Sequence, residues 1–286
     1  MPRRSAIAHK PARSSHHVAR ARAGVLDFHG ARGPFDVVGD VHGCLDELLE
    51  LLATLGYKVD RQAGDFAVAP PKGRTLAFVG DLVDRGPASP GVLRLVMGMA
   101  RAGHAVCVAG NRDMELVKAI KGRAVQMTHG MARSLEQLEA EPEEFRAEAL
   151  QFLHGLASHY VLDEGRLVIA HAGLKETLHG RSTPEARAVA LRGQATGKRD
   201  EYGLPIRLNW AVEYRGQALV VYGHSPVAEP MWLNNTVNLD TGCVYGGHLS
   251  ALRYPERETV SVPAKAVHYR ARRPFPVNAA LKRGAQ

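Results

Sequence analysis

A chain of 286 residues, 45% hydrophobic and 23% charged, has an ordinary globular composition and enough length for one large core. No stretch approaches the ~18 consecutive apolar residues of a membrane span, and the first 33 residues lack the apolar run of a secretory signal. Three cysteines, Cys44, Cys107 and Cys243, lie far apart in the sequence, which argues against a disulfide framework and suits a reducing, cytoplasmic compartment. The formal charge of +8 is uneven: residues 1–32 and residues 264–286 each carry +6, while the body between them carries −4. Basic tails of this kind either hold nucleic acid or another acidic partner, or are simply solvated.

Residues 1–33 show no sustained period and read as a disordered tail. From Phe35 a strand-and-helix alternation begins. Residues 35–39 read as a short buried strand, and leucines 45, 48, 49, 52 and 55 recur at helical spacing until Gly56. Residues 75–79 read as a strand, residues 90–102 as a helix with Pro90 in its first turn, 105–109 as a strand and 114–121 as a helix. Residues 130–156 read as two helices broken near Pro142, and 166–170 as another strand. Residues 174–215 show no clear period. Residues 219–222, 236–239 and 249–262 then form a run of strands, which predicts a second, more antiparallel sheet. The expected organisation is a basic tail over 1–33, one α/β domain over 34–263 and a basic tail over 264–286.

The chemistry lies where the strands end. Five apolar runs are followed by Gly39-Asp40-Val41-His42-Gly43, by Gly80-Asp81-Leu82-Val83-Asp84-Arg85-Gly86, by Gly110-Asn111-Arg112-Asp113, by His171-Ala172-Gly173 and by Gly223-His224-Ser225. In open α/β sheets, sites form beyond the carboxyl ends of strands. Carboxylates, imidazoles and an amide oxygen, with no thiolate among them, are ligands for borderline or hard divalent ions. Asp40 and His42, two apart in an extended segment, point the same way and can bind one ion together. Six ligands, Asp40, His42, Asp81, Asn111, His171 and His224, are too many for one four-coordinate ion and suit two, with Asp81 the natural bridge. Two dications with two carboxylates leave a net positive site, which suits a phosphate substrate. A single one of these motifs is weak, since a capped turn or an Asp–Arg loop explains it as well.

Together these motifs resemble the calcineurin-like metallophosphoesterases of the phosphoprotein-phosphatase type. Further segments resemble the phosphatase module of bacterial polynucleotide kinase-phosphatase: GDLVDRGPASPG at 80–91, HAGLK at 171–175, HGR at 179–181, DEYGLP at 200–205, DTGCVYGG at 240–247 and LRYPE at 252–256. The likeness covers about 34–263. It implies a two-layer β-sandwich flanked by helices, with a dinuclear centre often filled by manganese; iron, zinc or nickel are alternatives. Asp40, His42 and Asp81 would hold one ion, and Asp81, Asn111, His171 and His224 the other. Arg85, and in the same way Arg181, would bind substrate phosphate, with a structural pair to Asp84 as the other reading of Arg85. A metal-bound hydroxide would attack phosphorus directly, without a covalent enzyme intermediate. The substrate would be a phosphorylated nucleotide, a nucleic acid end or a phosphoprotein; no membrane partner is expected.

The chain departs from the family pattern where a His, oriented by the following acid, protonates the leaving oxygen. Arg112 stands there, followed by Asp113. A guanidinium stays charged and cannot act as an ordinary general acid, so leaving groups that depart as anions should suffer least. The alternative is that Arg112 salt-bridges Asp113 and the site is a catalytically weakened module that binds phosphorylated ligands or nucleic acid. His104 and His129 are other proton donors by type. Ser225, in place of the usual Thr, should matter little. No GxxxxGK[ST] kinase loop occurs. The leading expectation is a phosphoesterase acting on phosphate esters with weakened leaving-group protonation; a protein Ser/Thr phosphatase and a dinucleoside polyphosphate hydrolase share these motifs as alternatives, and the last fits Arg112 chemically.

Overall fold

The computed structural model describes residues 31–62, 65–278 and 281. The expected N-terminal tail therefore lies outside the described residues over 1–30. In chain order the elements are β1 (Phe35–Val38), α1 (Leu45–Thr54), β2 (Lys58–Gln62), β3 (Asp65–Ala69), β4 (Thr75–Phe78), α2 (Ser89–Arg101), β5 (Ala105–Cys107), α3 (Asn111–Ile120), α4 (His129–Glu139), α5 (Glu143–His154), β6 (His159–Leu162), β7 (Leu167–Ala170), α6 (Pro184–Arg192), β8 (Ala195–Arg199), β9 (Pro205–Arg207), β10 (Leu219–Tyr222), β11 (Met231–Leu233), β12 (Thr236–Asn238), β13 (His248–Tyr254) and β14 (Glu258–Pro263). No helix among the described residues is long and apolar enough to cross a membrane.

Two five-stranded sheets stack face to face. The first has the order β14-β13-β1-β4-β5, the second β11-β12-β10-β7-β6. Alternation along each strand builds the layers. Val37, Ala77 and Val79 point into the core between the sheets, where they meet Ile169, Leu219, Val221 and Val237 of the second sheet. Val38, Leu76 and Phe78 point the other way, onto α1 and α2, where Leu48, Leu51, Leu52, Leu93 and Val96 are buried. Val168 and Val220 leave the second sheet on its far side, beneath Trp210 and Tyr214. The sandwich flanked by helices is thus the one expected.

Both sheets are mixed. In the first, β1, β4 and β5 run parallel, and β13 and β14 extend it antiparallel. In the second, β7, β10 and β12 run parallel, with β6 and β11 antiparallel at the edges. The expectation of a more antiparallel second sheet is corrected: the late strands β13 and β14 join the first sheet, β10 pairs parallel with β7, and β12 pairs parallel with β10. Short spacing between strands suggested hairpins; β11 and β12 form one, but the chain from β10 passes through β11 first, which leaves β12 parallel to β10.

Residues 264–278, expected as part of a separate basic tail, pack on the body. The backbone N–H groups of Ala264, Tyr269 and Asn278 donate to the carbonyls of Gly247, Val244 and Gly246 at 2.9, 2.9 and 2.7 Å. The Phe275 ring lies 5.8 Å from that of Tyr245. Lys265 pairs with Glu50, His268 with Glu47 and Arg273 with Asp200. Three of the stretch's basic residues are thus engaged within the protein, while Arg270 and Arg272 are exposed. Its aromatic and amide side chains, rather than its net charge, decide where it goes.

Candidate dinuclear metal site

The carboxyl ends of both parallel triplets meet at one edge. Asp40 lies two residues beyond β1, Asp81 three beyond β4 and Asn111 at the start of α3, which follows β5. His171 directly follows β7, and His224 lies two beyond β10. Five site residues turn in the left-handed region, namely His42, Asp81, Asp84, Arg85 and His224, with φ of 48, 49, 77, 74 and 71°. That conformation is unusual for residues with a Cβ and aims their side chains back over the strand ends. The turns are knitted together: the N–H groups of His42 and Gly43 donate to the carbonyls of Asp81 and Leu82, both at 2.8 Å. Gly223 must be a glycine here, because a Cβ would stand 1.9 Å from Asp40 Oδ1.

All six expected ligands come together, in two groups that share Asp81. The ligand atoms of Asp40, His42 and Asp81 lie within 4.8 Å of one another, and so do those of Asp81, His171 and His224. Asp81 Oδ2 is 3.6 Å from His42 Nε2, and its Oδ1 is 3.4 Å from His171 Nε2. One carboxylate thus faces both groups, one oxygen to each.

The donor set fits cations. His42 Nδ1 and His171 Nδ1 each lie 3.0 Å from a backbone carbonyl, those of Val83 and Val79, so each donates there and leaves Nε2 with a lone pair turned into the site. Burial keeps the imidazoles neutral. It is the main reason His42 falls to about 3, with Arg85 adding to it, and the main reason His171 and His224 are lowered. Asn111 Oδ1 lies 3.2 Å from His171 Nε2, and His224 Nδ1 lies 3.0 Å from the same nitrogen. An oxygen and two imidazole nitrogens converge where a cation would satisfy all three. Without one, the Asn111 amide would have to turn so that its NH2 donates to His224 Nδ1 and His171 Nε2, at 2.8 and 3.2 Å. On the other side, burial and the charges of Asp240 and Asp81 push the Asp40 carboxyl well above the usual range. Three acids crowd a place where a dication would relieve them.

Arginines surround the site. Arg85 Nη1 is 3.0 Å from His42 Nε2. Arg112 donates its backbone N–H to Asp81 Oδ1 at 2.8 Å, and its Nη1 to Glu115 Oε2 at 2.8 Å. Both guanidiniums lean on Asp84: Arg85 Nε is 3.5 Å and Arg112 Nε 3.4 Å from its Oδ2. The Asp84 carboxylate is fully buried and has no closer hydrogen-bond partner.

Arg112 therefore does not pair with Asp113. Asp113 is buried and turned to the backbone, its Oδ1 accepting from Leu82 and Val83 and its Oδ2 from Gly110. It holds the Asp81 loop instead of orienting a proton donor. Arg181 is exposed after the turn Glu176–Leu178, with no hydrogen bond or ion pair to the metal ligands among the described residues. His104 bonds the Val68 carbonyl at the start of β5, the end of that strand away from the site. His129 begins α4 beside Gly130, where a Cβ would meet Asp84 Oδ1 at 2.5 Å. The sequence reading missed Arg207, which lies half-buried in β9, donates to the Arg192 carbonyl and presents its charge to His171 and His224. Its signal was an Arg between two exposed apolar neighbours, Ile206 and Leu208.

Known proteins agree with this geometry. The sequence profile of the calcineurin-like phosphoesterases matches residues 33–228. An asymmetrical bis(5'-nucleosyl)-tetraphosphatase PrpE of Anoxybacillus flavithermus is 45% identical over 234 residues, 80% of this chain and 94% of that protein. Its Bacillus subtilis namesake is 41% identical over the same shares of both chains. These relatives do not carry the name of the polynucleotide kinase-phosphatase module that the motifs resemble. Among solved structures, one described as a putative diadenosine tetraphosphatase has a TM-score of 0.61 at 28% identity, over 85% of this chain and 99% of that one. A Saccharomyces cerevisiae protein serine/threonine phosphatase shares the fold, with a TM-score of 0.54 at 15% identity over 84% and 82% of the two chains. Strand order and sequence lead to one conclusion: the chain belongs to the calcineurin-like phosphoesterases, a family of metal-dependent hydrolases.

Proposed function

We propose that this enzyme hydrolyses dinucleoside polyphosphates, cutting a phosphoanhydride bond asymmetrically so that a tetraphosphate yields a nucleoside triphosphate and a monophosphate. The observation that carries this reading is Arg112. It stands where the family pattern has its proton-donating His, and Asp84 and Glu115 hold its guanidinium beside the shared Asp81. A fixed cation there stabilises a leaving oxygen that departs as an anion and supplies no proton. A nucleotide expelled from an anhydride needs none, whereas an alkoxide does. The tetraphosphatase relatives support the same substrate class.

Asp40, His42 and Asp81 would hold one divalent ion, and Asp81, Asn111, His171 and His224 the other. Manganese is our assignment for this mixed oxygen and nitrogen set, with iron, zinc or nickel as competitors. Bound there, two such ions supply Lewis-acid polarisation of a phosphoryl oxygen and a water acidified for attack near neutral pH. The chain does the rest. Arg85 and Arg207 approach from opposite sides, the first beside His42 and the second beside His171 and His224, and bind phosphoryl oxygens. Asp84 keeps Arg85 and Arg112 in register. Asp113 fixes the backbone of Leu82 and Val83, and so the bridging Asp81. We place the enzyme in the cytoplasm, where its three free, buried thiols stay reduced.

The test is hydrolysis of diadenosine tetraphosphate with manganese, products separated, alongside p-nitrophenyl phosphate and an alkyl phosphate monoester. ATP and AMP in equal amounts are expected, with the alkyl ester slowest. Arg112→His should raise the alkyl-ester rate by about 10-fold or more, since general acids contribute 10²–10⁴-fold, and change the anhydride rate little. Two ADP per substrate, or an alkyl ester cleaved as fast as the anhydride, would falsify the reading.

A further inference from the structure

The C-terminal segment reaches the active site. Tyr269, which it carries, lies with its ring centroid 5.7 Å from the Arg85 guanidinium carbon; that of Tyr245 lies 5.5 Å from the same atom. The two rings are 6.5 Å apart and inclined at 61°. We propose that Tyr269 and Tyr245 form an aromatic clamp that positions Arg85 for substrate phosphate, so that residues 264–278 are a working part of the site. This rests on the phosphate-binding role given to Arg85 above.

Arg85 needs such a support. It sits in the left-handed region, in a loop without regular secondary structure, on a long side chain. Its contact to His42 Nε2 cannot persist when that lone pair serves a cation. Asp84 then engages only Nε. Aromatic rings hold a guanidinium through its charge and take up none of its N–H donors, which stay free for an anion. The Tyr245 ring comes from the 3-10 turn Cys243–Tyr245 in the body of the fold, and Phe275 backs it. The Tyr269 ring depends on the anchoring of its segment. Glu47, buried on α1, does much of this: its Oε1 accepts from the Lys265 backbone N–H at 2.9 Å and lies 3.1 Å from His268 Nε2. The Tyr269 N–H donates to the Val244 carbonyl, one residue before Tyr245, which sets the two rings side by side. Arg273 pairs with Asp200, in the hairpin that carries Arg207. The segment thus ties together the two phosphate-binding arginines on opposite sides of the site.

The test uses the full-length, manganese-loaded enzyme and compares Tyr269→Ala, Tyr269→Leu, Tyr269→Phe, Arg85→Ala and the Arg85→Ala/Tyr269→Ala double variant. KM and kcat are measured with diadenosine tetraphosphate and with p-nitrophenyl phosphate, and inhibition with inorganic phosphate. Tyr269→Ala and Tyr269→Leu should raise KM for both substrates and weaken phosphate inhibition by about 5- to 30-fold, the range of a desolvated cation–π contact. The change in kcat should be smaller, and Tyr269→Phe should restore all values to within about 2-fold, since Phe keeps the ring face. The Ala change should add nothing in the Arg85→Ala background. The clamp is overturned if Leu behaves as Phe, which marks plain packing; if the two losses are additive; or if only the dinucleotide suffers, which would make Tyr269 a base-stacking residue. If Arg85→Ala itself leaves KM and phosphate inhibition unchanged, the role of Arg85 falls, and the clamp with it.

Discussion

Strand β1 has a buried aspartate at each end, and the two are treated differently. Asp36, at its start, is fully buried and fully answered. It accepts from Tyr57 Oη at 3.0 Å, Arg74 Nε at 3.0 Å and Arg253 Nε at 3.3 Å. Asp40, just past its end, is almost as buried. Its hydrogen bonds come from the His224 backbone N–H, at 3.2 Å to each oxygen, and its close neighbours include the like charges Asp81 and Asp240. The fold carries its own counter-cations at one end of the strand and leaves the other end short of them. Burying a carboxylate without a partner is costly, so the unbalanced end marks where a cation from outside belongs. The same reasoning separates structural from functional acids elsewhere in the chain: Asp113 is answered by three backbone N–H groups, and Asp81 is shared between ligands.

The contrast can be broken at either end. The largest effect is expected at the unbalanced end. Asp81→Asn should release both ions and lower turnover by about 10³-fold or more, because it removes the one carboxylate that faces both groups; metal analysis of the purified variant checks this, and two retained ions would refute the bridge. At the balanced end, Asp36→Ala should cost about 3–5 kcal/mol of stability, the usual result of breaking a buried ion pair. The folded variant should still bind two ions and turn over normally; lost metal would show that the ends are not independent. The smallest effect is in the pH dependence of the metal-free protein. Burial, with the charge of Asp81, pushes Asp113 and Asp240 up to about 7. Their folded state thus favours the protonated form, and that stabilisation is lost as pH rises through about 7. The buried histidines have the opposite sign; their gain is half complete at their unfolded value of 6.5 and offsets part of this loss just above it. Chelated protein should therefore melt lower at about pH 8 than at about pH 6.5, and the metal-loaded protein should show a smaller change. Calorimetry with and without chelator reads both.

The candidate ligands were legible because each motif is local: an apolar run, in four of the five a glycine, then a candidate ligand. Sequence order alone places such motifs on one edge once the strands are parallel. What stayed hidden depends on distant pairings. The register that sets β10 beside β7, and sends β13 to the first sheet, has no local signature. Nor does the hairpin β2–β3, whose strands are short and partly polar. The start of α3 at Asn111, three residues earlier than periodicity indicated, reflects a helix whose first turn is committed to the site. Asp113 read as a catalytic orienter because the family pattern sets an acid beside its proton-donating His, and only the fold shows three backbone amides claiming it first. Arg207 and Tyr269 were passed over because one lay in a stretch without a period and the other in a stretch whose charge suggested solvent.

The left-handed backbone at His42, Asp81, Asp84, Arg85 and His224 has a consequence for how this enzyme can evolve. A glycine would sit in each of those turns more comfortably, by about 1 kcal/mol. Every such replacement would discard a candidate metal ligand, the proposed phosphate anchor or the acid that holds two arginines. Selection for heat resistance alone would press on these positions and select catalysis away, so a lineage that keeps its chemistry must find its stability elsewhere, in the core between the sheets or in the exposed loops.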